Sequence, residues 1–109
     1  MIDWDRVKEL RDEIGADDFA EVVDMFLEEA DAAAGRLSPS LTAKAMEADL
    51  HFLKGAALNL GFRDLANLCQ DGERRAAGGD TNVGLDAVRD CYAASKTVFE
   101  GGKNQAFAA

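Results

Sequence analysis

His51 is the only histidine among the 109 residues of this chain, and Lys54 and Gly55 follow it closely. On an α-helix, residues three and four positions apart share one surface, so the lysine and the glycine would flank the imidazole. The imidazole is a nucleophile near neutral pH, the lysine supplies a mobile positive charge, and the glycine leaves room for an approaching group. These residue types at this spacing suit a surface that carries a phosphoryl group.

Such chemistry requires the helix around His51 to present the ring to solvent. The apolar residues of this segment recur at alternating four- and three-residue intervals, which is typical of the inner face of a bundle helix. They are Met46, Leu50, Leu53, Ala57 and Leu60. At ~100° per residue, His51 lies ~150° from the centre of this stripe. We therefore expect His51 to face solvent, with Lys44, Ala48 and Gly55 as its nearest surface neighbours.

Small and apolar residues are predicted to surround His51 on this face. Gly55 in a helix interior costs ~1 kcal/mol relative to alanine, and with Ala48 it clears space on both sides of the ring. Leu58 and Phe62 follow on or near the same face, where exposed apolar residues beside a reactive group indicate a docking surface. The alternative for both residues is partial burial against the next helix.

The whole chain is expected to be α-helical, because apolar residues recur at helical spacing and strand-like alternation is absent. The predicted helices span residues 3–14, 17–37, 41–60, 62–77 and 83–100. Asp3 is a predicted N-cap, and Gly15, Pro39 and Gly61 are predicted to end helices. Four long helices with short connections predict a single domain, residues 1–109, that is an antiparallel up-down four-helix bundle with a short additional N-terminal helix. Residues 101–109 are predicted to form a flexible tail.

The same periodicity assigns inward faces to the last two helices. In the fourth helix the inward residues are Leu65, Leu68, Cys69, Gly72 and Ala76. In the fifth helix they are Leu85, Val88, Tyr92, Ser95, Val98 and Phe99.

Composition excludes several classes of function. The net charge is -9 and the pI about 4.4, so the surface repels nucleic acid and anionic lipid. Neither a signal peptide nor an apolar run of the ~20 residues that span a bilayer is visible. Cys69 and Cys91 are therefore interpreted as reduced, small core residues of a cytoplasmic protein. A protein partner fits this surface best.

At this point the chain is seen to resemble a known family. The segment from Leu50 to Gly61, LHFLKGAALNLG, continuing through Leu65 and Cys69 to Glu73, resembles the characteristic sequence of the histidine-containing phosphotransfer (HPt) domain. The N-terminal half is similar as well, at residues 2–4, 15–19 and 26–30, so the resemblance covers roughly residues 2–100. One departure is Gly72, where the family usually has leucine, and this predicts a less tightly packed fourth helix.

The resemblance implies a phosphorelay intermediate. His51 would accept a phosphoryl group from the aspartyl phosphate of a response-regulator receiver domain and pass it to another receiver, with Nε2 as the attacking atom. Lys54 would offset the charge of the phosphoryl oxygens, and Gly55 would let the receiver approach the helix closely. Gly61 is interpreted as structural. Glu73 is a candidate to orient the imidazole, although the interpretation that we favour at this stage is a solvated helix glutamate.

The resemblance also implies partners and excludes a resident cofactor. The expected partners are receiver domains and a hybrid histidine kinase, and the expected state is a monomer. No glycine-rich nucleotide-binding loop is visible, so the chain is predicted not to phosphorylate itself from ATP. The Mg²⁺ that transfer requires is expected in the acidic pocket of the receiver, with no metal site in this chain.

Two rival functions were weighed against the carrier. A carboxylate-bridged metal bundle uses paired Glu-x-x-His motifs, but Ala48 occupies the position three before His51 and no second histidine exists. A structural adaptor that binds a receiver or a kinase without carrying phosphate remains the second alternative.

Overall fold

A computed structural model of the chain describes residues 2–106, with side chains described as far as Gly102. All regular elements within this range are α-helices, which confirms the predicted all-helical class. The helices are α1 (Trp4–Ile14), α2 (Ala16–Arg36), α3 (Ala43–Leu60), α4 (Arg63–Ala77) and α5 (Leu85–Ala106). The predicted bounds agree with these to within two residues, except at the end of α5.

Side-chain caps explain where two of the helices begin. The Asp3 carboxylate accepts a hydrogen bond from the backbone N–H of Arg6 at 3.3 Å and caps α1 as predicted. The Thr42 hydroxyl accepts from the backbone N–H of Ala45 at 3.1 Å and caps α3. Each cap satisfies one of the backbone donors that a helix start leaves without an intrahelical partner.

The connection between α3 and α4 is a tight turn at Gly61. This glycine has φ 74° and ψ 20°, the left-handed conformation that ends many helices. The N–H of Phe62 donates to the Ala57 carbonyl at 2.8 Å, and the N–H of Asp3 donates to the Gly61 carbonyl at 2.7 Å. Ile2 and Phe62 form an isolated antiparallel bridge. The turn therefore orders both the start of α4 and the chain that leads into α1.

Phe62 lies at the centre of the core and is fully buried. Its ring packs edge-on against Phe99 with centroids 5.6 Å apart, and lies 6.4 Å from Tyr92. The prediction that Phe62 belongs to a docking surface is therefore wrong. The left-handed turn at Gly61 breaks the helical phase of α3, so Phe62 points inward although the period of α3 would have placed it near the outer face.

The helix α5 continues beyond its predicted end at Glu100. It runs to Ala106, so the predicted tail begins as helix, and residues 107–109 lie outside the described residues. Trp4 stacks on Phe99 with ring centroids 5.8 Å apart. A Cβ atom at Gly102 would lie 2.6 Å from Cζ2 of Trp4, so the glycine makes room for the indole. Gly102 thus serves packing against α1 where the sequence suggested a helix end.

Two residues assigned to inward faces are exposed. Leu68 in α4 and Val98 in α5 both keep more than a third of their surface in solvent. The buried side of α4 is narrow and consists of Leu65, Ala66, Cys69, Gly72 and Ala76. Leu68 therefore lies just outside the buried face of α4. Val98 likewise lies just outside the buried face of α5, next to the buried Ser95 and Phe99.

Both cysteines are free thiols, as predicted, but they differ in depth. Cys69 in α4 is fully buried, and burial raises its pKa to about 12. Cys91 in α5 is half-buried, and burial raises its pKa as well. The buried Cys69 is therefore not a reactive thiolate at neutral pH.

No helix in the described part of the chain is long and apolar enough to cross a bilayer.

Candidate functional site

His51 projects from the outer face of α3, as the helical phase predicted. Its side chain is 69% exposed. The five apolar residues of the predicted inner stripe are all buried, so they fix the rotation of α3 about its axis. Burial of this stripe, at ~25 cal/mol per Å² of apolar surface, is what holds the imidazole in solvent.

Glu73 of α4 reaches across to His51 and Lys54, the two predicted site side chains of α3. Its Oε1 lies 2.8 Å from His51 Nδ1, and its Oε2 lies 2.8 Å from Lys54 Nζ. The glutamate side chain is only 20% exposed. The favoured expectation of a solvated helix glutamate is therefore wrong, and the alternative, contact with the imidazole, is what the structure shows.

The ionisation of Glu73 decides the roles of the two imidazole nitrogens. The neighbouring Lys54 ammonium, foremost, and the His51 hydrogen bond lower the pKa of Glu73, while partial burial opposes them. An ionised carboxylate is only an acceptor, so Nδ1 of His51 must carry the proton and donate it. In the neutral ring the lone pair then lies on Nε2, the nitrogen that does not contact Glu73.

The lowered pKa of Glu73 predicts a pH dependence of stability. A carboxyl with a folded-state pKa below its ordinary value of 4.5 stabilises the fold above that value. This stabilisation is lost as the pH falls through the folded-state pKa. We expect the free energy of unfolding, measured by urea titration, to fall below about pH 4.5 and to fall less steeply in Glu73→Gln. Glu28→Gln, at an exposed site on α2, is the matched control, and an equal change of slope there would contradict the assignment.

Two shallow concavities flank the imidazole. One is lined by Lys44, Glu47, Ala48, His51 and Glu73. The predicted surface neighbours Lys44 and Ala48 therefore lie beside the ring, and both are exposed. Gly55 lies on the other side, exposed, and a Cβ atom there would have nothing within 4 Å. The missing side chain at Gly55 therefore fills no packing requirement inside the fold.

The second concavity contains aromatic residues that sequence reasoning missed as part of the site. It is lined by Phe26, Glu29, His51, Phe52, Gly55, Ala56 and Asn59. Phe52 is 43% exposed although it is a large apolar residue, and Phe26 of α2 is half-buried. The signal in the sequence was the position of Phe52 directly after His51, outside the inner stripe.

Leu58 lies apart from both concavities. It is 57% exposed, as predicted, but it lines a separate hollow with Asp3, Arg6 and Arg63 beside α1 and α4. The structure thus brings together His51, Lys54, Gly55, Ala48, Lys44 and Glu73. It does not bring Leu58 or Phe62 to them.

Asn59, which lines the second concavity, ties α3 to α1. Its side-chain oxygen accepts a hydrogen bond from Arg6 at 3.1 Å.

Within the described residues, no group of three or more His, Cys, Asp or Glu side chains is arranged to hold a metal ion.

Comparison with known proteins identifies the family. The family model of the Hpt domain matches residues 21–98, which is more than half of the chain and includes the whole of α3 and α4. Comparisons with curated proteins and with solved structures gave no significant match. Hpt domains transfer phosphoryl groups on histidine in two-component phosphorelays, have no kinase activity of their own, and interact with receiver domains and kinases. The matched residues include the exposed His51 and the side chains around it. The match to the family model shows that this chain belongs to the Hpt domain family.

Proposed function

We propose that this protein is a phosphorelay intermediate that carries its phosphoryl group on Nε2 of His51. The donor is the aspartyl phosphate of a receiver domain, and the acceptor is the aspartate of another receiver. In the transfer the Nε2 lone pair attacks phosphorus, an N–P bond forms, and the P–O bond to the donor carboxylate breaks. The aspartate leaves as a carboxylate, and the proton on Nδ1 stays in place.

The contact between His51 Nδ1 and Glu73 Oε1 is the observation that carries this proposal. It holds the proton on Nδ1 and thereby directs the lone pair of Nε2 into solvent. Attack through Nε2 leaves positive charge on the ring, and the adjacent carboxylate stabilises that charge. The chain thus supplies an oriented nucleophile and a counter-charge, which is what a carrier without its own kinase requires.

We propose that Lys54 stabilises the transferring phosphoryl group. Its ammonium pairs with Glu73 on the His51 side of α4, and its stem lets the head move to a neighbouring oxyanion. Loss of one preorganised donor costs ~10²-fold in water-excluded sites, and Lys54 is partly solvated before docking. Lys54 therefore stabilises the transferring phosphoryl group less than a fully enclosed donor would.

We expect Lys54→Ala to slow transfer roughly 10- to 100-fold, because the charge that offsets the phosphoryl oxygens is removed. Single-turnover transfer from a phosphorylated receiver measures this, with circular dichroism to check the fold. Lys44→Ala removes another lysine near the ring, at an exposed position, and is the matched control, in which we expect a much smaller loss of transfer rate. Wild-type rates in a folded Lys54→Ala sample would contradict the role.

The receiver is proposed to dock on the face of α3 that carries Gly55 and Phe52. The exposed aromatic ring and the bare backbone at the glycine support a close apolar contact beside the imidazole. The partner supplies the Mg²⁺ and the aspartate, so this chain needs no cofactor. We infer that a hybrid histidine kinase delivers the phosphoryl group to this relay and that the carrier acts as a monomer in the cytoplasm.

The experiment that tests the function is phosphoryl transfer to the wild-type protein. The chain is incubated with a phosphorylated receiver or an active hybrid kinase, and the bound phosphate is tested for acid and base stability. Acid-labile, base-stable label is the expected result, because phosphohistidine has this behaviour. If the protein binds receivers yet never takes label across a panel of them, the adaptor function replaces the carrier function.

We also propose that the chain is a single domain in which α2 to α5 alternate in direction. The close spacing of helices along the chain supports this, because only Gly61 and Phe62 separate α3 from α4. Contacts of α2 with α3, α3 with α4, α4 with α5 and α5 with α2 are those expected around a four-helix ring. The first helix packs on α2 and α3, as an additional helix at the bundle would.

A further inference from the structure

Gly72 is a buried glycine in the interior of α4 that faces Leu50 of α3. A Cβ atom at this position would lie 3.1 Å from Leu50 Cδ1 and 3.8 Å from both Leu50 Cδ2 and the Cβ of Val83. Carbon atoms pack at ~3.5–4.0 Å, so a methyl group here requires α3 and α4 to separate or Leu50 to move. Glycine costs ~1 kcal/mol in a helix interior, and here it gives close approach of two helices in return. The expectation that glycine loosens α4 is therefore wrong.

This close approach lies at the level of the functional site. Leu50 precedes His51 by one residue and Gly72 precedes Glu73 by one residue, so the two contacts are adjacent between the same pair of helices. The distance from Nδ1 to Oε1 is 2.8 Å, and hydrogen bonds weaken beyond ~3.2 Å. If the two helices separate by a few tenths of an ångström at Gly72, the hydrogen bond that orients the imidazole therefore lengthens and weakens.

We propose that Gly72 is a positioning residue for His51: the absence of its side chain brings α4 close enough for Glu73 to hold the proton on Nδ1. The consequence for transfer rests on the proposed function, whereas the effect on the ring does not. Leu50 is fully buried in a close-packed core, so we expect a methyl group added at Gly72 to push the two helices apart as well as to shift the Leu50 side chain.

The test is Gly72→Ala, read out by the ¹⁵N chemical shifts of the two imidazole nitrogens in the absence of any receiver. We expect the fraction of neutral His51 with its proton on Nδ1 to fall. Transfer should slow by less than the ~10- to 100-fold that accompanies outright loss of an orienting partner. Gly35→Ala, near the end of α2, adds a methyl group to a helix with nothing within 4 Å of it and should leave both measurements unchanged.

Adding Leu50→Val to Gly72→Ala removes the atom that the new methyl group meets. The double variant is expected to recover the wild-type proton distribution, with a coupling beyond the sum of the single changes. Should Gly72→Ala alone fail to fold, a folded double variant with a displaced proton would contradict the proposal.

An unchanged proton distribution and transfer rate in folded Gly72→Ala, whatever its stability, would reduce Gly72 to a packing residue. A shifted proton distribution in a protein whose wild type never accepts phosphate would uphold the positioning role and overturn only the carrier function.

Discussion

Replacing His51 with glutamine is expected to abolish phosphoryl acceptance. The amide of glutamine has no nucleophilic nitrogen, and the structure places no second imidazole near the site because the chain has one histidine. No phosphohistidine can form without this side chain, so acceptance should fall to the background of the assay. The measurement is transfer of labelled phosphate from a phosphorylated receiver.

The fold should tolerate this replacement, since the imidazole is mostly exposed and its one described hydrogen bond, to Glu73, lies at the surface. Affinity of His51→Gln for the receiver, measured by calorimetry, serves as the control and should remain near that of the wild type. Label on the variant at the wild-type rate would place the phosphoryl group elsewhere and overturn the proposed mechanism.

Gly61→Ala is expected to have the largest effect on stability. Gly61 has φ 74°, and a side chain in the left-handed conformation costs ~1–2 kcal/mol. The added Cβ would also lie 2.5 Å from the Asp3 carbonyl oxygen and 3.2 Å from Val7 Cγ2. The obstructing atom is backbone, so the chain leading into α1 has to move, and its 2.7 Å hydrogen bond to Gly61 is strained or lost.

The free energy of unfolding of Gly61→Ala should therefore fall by more than the ~1–2 kcal/mol of backbone strain alone. Since ~1 kcal/mol shifts the Tm of a domain near this size by ~4–8 °C, we expect the Tm to fall by more than the ~4–16 °C that the strain alone accounts for. Gly79→Ala separates the two causes, because Gly79 also has a positive φ, of 90°, but nothing lies within 4 Å of a Cβ there. Equal losses in the two variants would show that the contact with Asp3 contributes nothing.

Helical periodicity was sufficient to predict the direction of His51. The apolar stripe of α3 is uninterrupted from Met46 to Leu60, so a period of ~3.6 residues fixes which side is outer. The proximity of Lys54 and Gly55 follows from the same period. These features depend on one helix only, which is why the sequence contains enough information about them.

Features that involve two elements were not predictable in this way. The contact of Glu73 with His51 depends on the separation and rotation of α4 against α3, which the packing of Gly72 on Leu50 sets. The burial of Phe62 depends on the φ of a neighbouring glycine. The close packing of Gly102 in α5 against the Trp4 indole joins residues from opposite ends of the chain. None of these features is contained in the periodicity of a single helix, because each depends on a second helix or on the backbone conformation of the turn that joins two helices.

Because the two thiols differ in burial, their rates of alkylation report which helix separates from the core. Cys69 is sealed between α4 and the core, and with a pKa of about 12 it reacts with an alkylating reagent only when α4 comes away. We expect the half-buried Cys91 on α5 to react already in local fluctuations of α5 that leave α4 in place. The ratio of the two alkylation rates thus distinguishes local fraying of α5 from release of α4, the helix that carries the counter-charge of the imidazole. Opening of the site around His51 can therefore be followed through the two native cysteines, with no substitution in the protein.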